Sequence, residues 1–153
     1  MTPPAALAID LDGVLGDTRR LWSDWLADAD RVLGVDTAKL PTDRGEAALL
    51  LDSGGAGNWR ILLERFAEDR APVYLRPEAD VAAALRRLEA AGTCLGVFSD
   101  APTELARIAL AQLGATRRVA VVETGTGALE RLLAELGAGT VVVRTRVELG
   151  RAI

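Results

Sequence analysis

Four short apolar runs, residues 5–10, 94–99, 119–123 and 140–143, alternate along this chain with stretches of helical periodicity. Runs of that length, three of them rich in β-branched residues, read as strands buried on both faces. The helical stretches between the later runs, residues 81–91, 103–113 and 128–136, each stop at a glycine, Gly92, Gly114 and Gly137. Glycine at that position ends a helix because it accepts the left-handed conformation without strain. Strands alternating with helices predict an α/β domain of three layers, a mostly parallel sheet covered by helices on both sides. A chain of 153 residues has room for one such core with an insertion, not for two large independent domains.

The insertion falls between the first and second strands, where residues 18–73 are too long and too helical for a simple crossover. The predicted organisation is a core of residues 1–17 and 74–153 with a small helical cap at 18–73. The first cap helix follows Asp17 or Thr18 as N-cap and places Leu21, Trp22, Trp25, Ala29 and Val32 along one side. A later one starts near Asn58 and presents Trp59, Leu62, Leu63 and Phe66. The tryptophans read as the cap's own core. Residues 53–57, Ser-Gly-Gly-Ala-Gly, lack the following Lys-Ser/Thr of a phosphate-binding loop and read as a flexible link.

The first strand ends in Ile9-Asp10-Leu11-Asp12-Gly13. Side chains alternate along a strand, so Asp10 and Asp12 leave the sheet on one side, and Asp-Gly marks the chain turning away. Two carboxylates in one small volume repel each other unless a positive group lies between them or one takes a proton. The pair therefore suits a metal site or nucleophile-plus-acid chemistry, with a strand stopping in a polar turn as the plain alternative.

Composition removes many other chemistries. The chain has no histidine, so imidazole acid–base catalysis, histidine triads and histidine metal sites are excluded. Cys94, the sole cysteine, sits in an apolar run and reads as core filler. A net charge of −4 with no basic run gives no footprint for nucleic acid or an anionic membrane. Neither a signal peptide nor a membrane span is visible, which makes the cytoplasm the expected location.

The run from Asp10 to Thr18, Asp-Leu-Asp-Gly-Val-Leu-Gly-Asp-Thr, resembles the first signature of the haloacid dehalogenase superfamily. Val97-Phe98-Ser99-Asp100-Ala101-Pro102 resembles the second, a strand ending in Ser or Thr before a helix. The resemblance implies a Rossmann-like core with a cap, and phosphoryl transfer through an aspartyl-phosphate. Asp10 would attack phosphorus; a carboxylate needs no deprotonation at neutral pH. Asp12 would protonate the leaving alcohol and then deprotonate water. Ser99, with backbone N–H groups near Leu11, Asp12 and Asp100, would hold the phosphoryl oxygens. Asp12 also separates this pattern from the dehalogenases, which lack an acid there.

Two parts of the family pattern are absent. The lysine before the third crossover helix has no counterpart in residues 121–129, and Arg117, Arg118 and Arg131 lie off the matching spacing. The acidic pair after the fourth strand, which with Asp10 and the Asp12 carbonyl holds Mg²⁺ in the family, is replaced by Arg144-Thr145-Arg146-Val147-Glu148. Candidate metal ligands reduce to Asp10, Asp12 and Glu148, a weak set for an ion that prefers an octahedron of oxygens. Arg144 or Arg146 close to Asp10 would instead gain on the order of 4 kcal/mol of gross attraction at about 4 Å, and is the candidate substitute for the cation.

The sequence also ends soon after the fourth strand, which leaves that strand at an edge and predicts a homodimer. Two functions follow. One is a phosphatase-type hydrolase acting on a small phosphorylated metabolite under the cap. The other is a catalytically impaired pseudoenzyme that binds a ligand or a protein partner without turnover.

Overall fold

The computed structural model describes residues 2–153. Its sheet has four parallel strands, β1 (Ala6–Asp10), β2 (Cys94–Ser99), β3 (Val121–Thr124) and β4 (Thr140–Val143), in the order β3-β2-β1-β4. β1 is central and pairs with β2 from Ala6 opposite Cys94 to Asp10 opposite Phe98. The ends carrying Asp10 and Ser99 therefore lie side by side at the carboxyl edge, where ligand crevices form in such sheets.

Among the described residues there are seven α-helices: α1 (Arg19–Leu33), α2 (Arg44–Ser53), α3 (Trp59–Tyr74), α4 (Ala79–Ala90), α5 (Thr103–Gln112), α6 (Ala128–Leu136) and α7 (Arg146–Arg151). Leu7, Ile9, Leu95 and Val97 point to one face and pack on α4 and α5, with Leu149 of α7 in the same cluster. Ala8 and Phe98 point to the other and pack on Ala128 and Leu132 of α6. This is the three-layer arrangement that the strand and helix alternation predicts. β3 begins two residues later than the apolar pattern suggests, because Val119 packs against the core cluster below the sheet instead of joining the ladder.

Helices α1, α2 and α3 form a second cluster around three tryptophans. The Trp22 and Trp25 ring centroids are 5.3 Å apart, and Trp25 and Trp59 are 6.0 Å apart, so the rings fill the space between the helices. Ala101 and Leu105, at the start of α5, belong to this cluster too. The inserted helices thus share apolar surface with the core beneath them, and α3 runs on into the main cluster through Ala71 and Leu75.

After β1 the chain makes a wide turn through residues 11–16, closed by the Gly16 N–H on the Leu11 carbonyl (3.1 Å). Asp12 stays extended (φ −83°, ψ 111°), while Gly13 takes φ 109°, a conformation that a side chain disfavours. Leu11, Val14 and Leu15 are buried in that turn. It is consequently a rigid support that aims Asp12 toward the cap.

Candidate functional site

Asp10, Asp12, Ser99 and Asp100 come together at the carboxyl end of β1 and β2, and a residue outside the strand signatures organises three of them. Arg44, the first residue of α2, reaches down from the inserted helices and is buried, with 3% of its side chain exposed. Its Nη2 donates to Asp12 Oδ2 at 2.5 Å and to Asp100 Oδ1 at 2.8 Å, with Ser99 Oγ at 3.4 Å. Nε donates to Asp100 Oδ1 (3.1 Å), Nη1 to Thr18 Oγ1 (2.7 Å), and the Arg44 backbone N–H to Asp100 Oδ2 (3.0 Å).

The network saturates Asp12. Its Oδ1 accepts from both the backbone N–H and the hydroxyl of Thr18, each at 2.7 Å, and its Oδ2 accepts from Arg44 and from Ser99 Oγ at 2.9 Å. A carboxylate has about four acceptor positions, and here each has a donor. Ser99 spends its own hydroxyl proton on Asp12 and accepts from the Ala101 N–H at 3.1 Å. Burial pushes the Asp100 carboxyl up, but its hydrogen bonds to Arg44 outweigh that and hold it below the usual range.

Asp10 is in a different state. Its Oδ1 accepts the Asp12 N–H at 3.1 Å, and its Oδ2 lies 3.7 Å from Arg144 Nη1. Burial, followed by the charge of Asp12, raises its pKa from 3.8 to about 6 against the opposing pull of that N–H, Arg144 and Arg19. Asp10 lines two clefts. One, of about 520 Å³, runs under the cap past Arg19, Trp22, Leu26, Pro41 and Thr42. The other opens toward α6 between Phe98, Gly125 and Arg144.

The arginines of the fourth corner separate. Arg144 sits beside Asp10, its guanidinium also 5.4 Å from the centre of the Phe98 ring. Arg146 does not reach the carboxylates: its Nε donates to the Val14 carbonyl at 3.1 Å and its Nη1 lies 3.4 Å from Glu78. Placed in the first turn of α7, Arg146 faces the support of the site and not its mouth. Glu148 does not join Asp10 and Asp12 either, because its carboxylate accepts the Arg144 backbone N–H at 3.3 Å and its own N–H caps on Thr145 Oγ1. Arg131, near the absent lysine, donates to Glu123 and to the carbonyls of Thr124 and Thr126, which fixes the turn before α6. Arg118 pairs with Glu89.

These donors do not fit Mg²⁺. Among the described residues no group of three acids is placed to hold a metal. Asp12 and Asp100 are committed to Arg44, Glu148 faces away, and a guanidinium flanks the remaining carboxylate.

Arg44 is the functional residue that strand signatures do not reveal. A faint signal exists: it directly follows the N-cap Asp43, whose carboxylate accepts the Glu46 N–H, and a cation at the start of a helix opposes the helix dipole. Such a residue calls for an anionic partner elsewhere. The next residue, Gly45, explains how it gets there, since a Cβ at that position would run into the backbone of Gly125 and Thr126. Only glycine lets α2 press this closely on the β3–α6 turn.

No family model matches the sequence, and no curated protein matches it. Solved structures do match. A Thermotoga maritima protein described as a beta-phosphoglucomutase superposes with a TM-score of 0.57 at 18% identity, over 90% of this chain and 74% of that one. A dehalogenase crystallised with an intermediate complex superposes with a TM-score of 0.50 at 14% identity, over 99% of this chain and 83% of that one. The chain has the α/β fold of these two structures.

Two outcomes test the site. Arg44→Met leaves the buried Asp12 and the half-buried Asp100 without their cation and is expected to destabilise the protein by about 3 kcal/mol in urea melts, chiefly through Asp12; a loss below about 1 kcal/mol would place the guanidinium in solvent. The folded chain holds the Asp10 proton more tightly than the unfolded chain. This carboxyl's contribution to stability therefore falls as pH rises from 3.8 through about 6, and is constant above that. Asp10→Asn should accordingly be more stable than the parent at pH 7, with the difference narrowing as pH drops toward 3.8; a difference that stays constant across the window contradicts the raised pKa.

Proposed function

We propose that this chain is a haloacid dehalogenase-like protein that binds a small phosphorylated molecule at the mouth of the Asp10 cleft without efficiently hydrolysing it. The observation that carries the reading is the saturation of Asp12. Expelling an alkoxide from phosphorus requires a proton donor, and the residue in that position has each acceptor site filled by Thr18, Ser99 and Arg44. The hydroxyl suited to a phosphoryl oxygen is turned onto Asp12 as well. The cleft itself suits a small molecule with an apolar body and an anionic end, having Trp22, Leu26 and Pro41 on one wall and Arg19 at the carboxylate end.

A hydrolase reading is favoured by one feature, the Asp10 carboxylate, which has 21% of its side chain exposed and faces both clefts. In that reading an Asp10 oxygen bonds to phosphorus as the ester P–O bond breaks, while Asp12, released by Arg44 and protonated from solvent, passes that proton to the departing alkoxide. Turnover of an aryl phosphate decides between them. The expected result is a rate in the parent no greater than in Asp10→Asn, together with a rise in melting temperature on adding phenyl phosphate. A parent rate that Asp10→Asn abolishes would establish the hydrolase.

A second copy of the chain is the partner this reading includes. Among the described residues β4 pairs only with β1, and its Thr-Val-Val-Val sequence bears no charge to block further pairing, with Val141 exposed. β3, the other edge, is guarded by the Glu123–Arg131 pair. Light scattering should give a dimer that Val141→Lys dissociates; a monomer at high concentration removes the partner from the proposal.

A further inference from the structure

The pocket holds three carboxylates, Asp10, Asp12 and Asp100, and this concentration of charge must be compensated. Two guanidinium groups of the chain lie against these acids, and Arg19 adds a more distant charge toward Asp10. Arg44 is shared by Asp12 and Asp100, and Arg144 flanks Asp10. The two arginines come from opposite sides, one from the cap and one from the turn after β4, and they divide the acids between them with no overlap.

A hard divalent ion needs about six oxygens at roughly 2.0–2.1 Å for Mg²⁺. Asp12 accepts from Thr18, Ser99 and Arg44, and both oxygens of Asp100 accept from Arg44. Asp10 Oδ1 accepts the Asp12 N–H, so Asp10 Oδ2 is the one carboxylate oxygen of the three residues with no hydrogen bond among the described residues. It faces Arg144 at 3.7 Å. A cation approaching it meets a guanidinium of like charge.

We propose that Arg44 and Arg144 are the resident cations of this site, so that guanidinium and divalent metal are mutually exclusive occupants and the native protein works without Mg²⁺. The proposal concerns which cation the acids take and stands whether or not the site turns over a substrate. Arg144 is the more informative position to change, because 55% of its side chain is exposed and the fold does not lean on it. Arg44→Met tests the second half, freeing Asp12 and Asp100 together.

The measurement is binding of Mn²⁺, a spectroscopic stand-in for Mg²⁺, followed by electron paramagnetic resonance, with Mg²⁺ calorimetry alongside and circular dichroism to confirm folding. The parent should leave Mn²⁺ free at millimolar concentration. Arg144→Gln should bind it at least about tenfold more tightly than the parent, and Asp10→Asn in that background should remove the gain. Parent protein that already binds Mn²⁺ or Mg²⁺ through Asp10 overturns the proposal. So does a folded Arg144→Gln variant with no gain, since the guanidinium would then not be what keeps the metal out. If Arg44→Met folds, it should gain a metal signal dependent on Asp12; if it unfolds, the parent and Arg144→Gln still decide.

Discussion

A buried guanidinium ties the apolar cluster of the inserted helices to the strand ends of the core. Arg44 leaves the inserted helices and ends among Asp12, Thr18, Ser99 and Asp100, which come from the turn after β1, the start of α1 and the end of β2. An unpaired charge at that depth costs several kcal/mol, so the inserted helices cannot part from the strand ends without either carrying water to Arg44 or stranding it. Ordinary apolar contact between the clusters, through Ala101 and Leu105, tolerates sliding. The guanidinium does not, because its planar fork fixes direction as well as distance. Gly45 completes the constraint by letting the helix backbone rest directly on the turn at Thr126.

The same arrangement explains why two aspartates two residues apart meet different fates. They leave the strand on one side, as a strand's alternation requires, but the turn at Gly13 separates their surroundings. Asp12 is wrapped by donors. Asp10 keeps one backbone hydrogen bond and one distant arginine, and burial beside a committed negative charge raises its pKa to about 6. Asp12 is thus the better provided for of the two carboxylates, and Asp10 is the one whose charge is least compensated.

How much of this the sequence discloses depends on the range of the interactions. The strands are legible because burial on both faces writes itself into consecutive residues, as in Leu7 to Ile9 and Leu95 to Phe98. The start of β3 is less so, since Val119 is apolar for the sake of the cluster below the sheet, a reason that looks identical in a one-dimensional pattern. Asp10, Asp12 and Ser99 are legible as a group from the two strand signatures. Arg44 is not, because its partner Asp100 lies 56 residues away and a short cap helix has no register that points at the core. Arg144 and Arg146 look interchangeable in sequence; only the start of α7 at Arg146 sends one to Asp10 and the other to Val14.

What a pair of aspartates does is therefore decided less by the pair than by what neutralises it. A hydrated divalent ion supplies two charges, exchanges with solvent and leaves coordination sites for a substrate. A guanidinium supplies one charge, donates its hydrogen bonds in fixed directions and is covalently held, so the acids it satisfies stay satisfied. Replacing one by the other converts an electrostatic demand that substrates could share into one met inside the chain. The fold, the strand ends and the carboxylates can all persist through that exchange, since each depends on local packing and backbone geometry. Under the proposed function the chemistry does not persist with them, because it depends on the part of the compensation that can come and go.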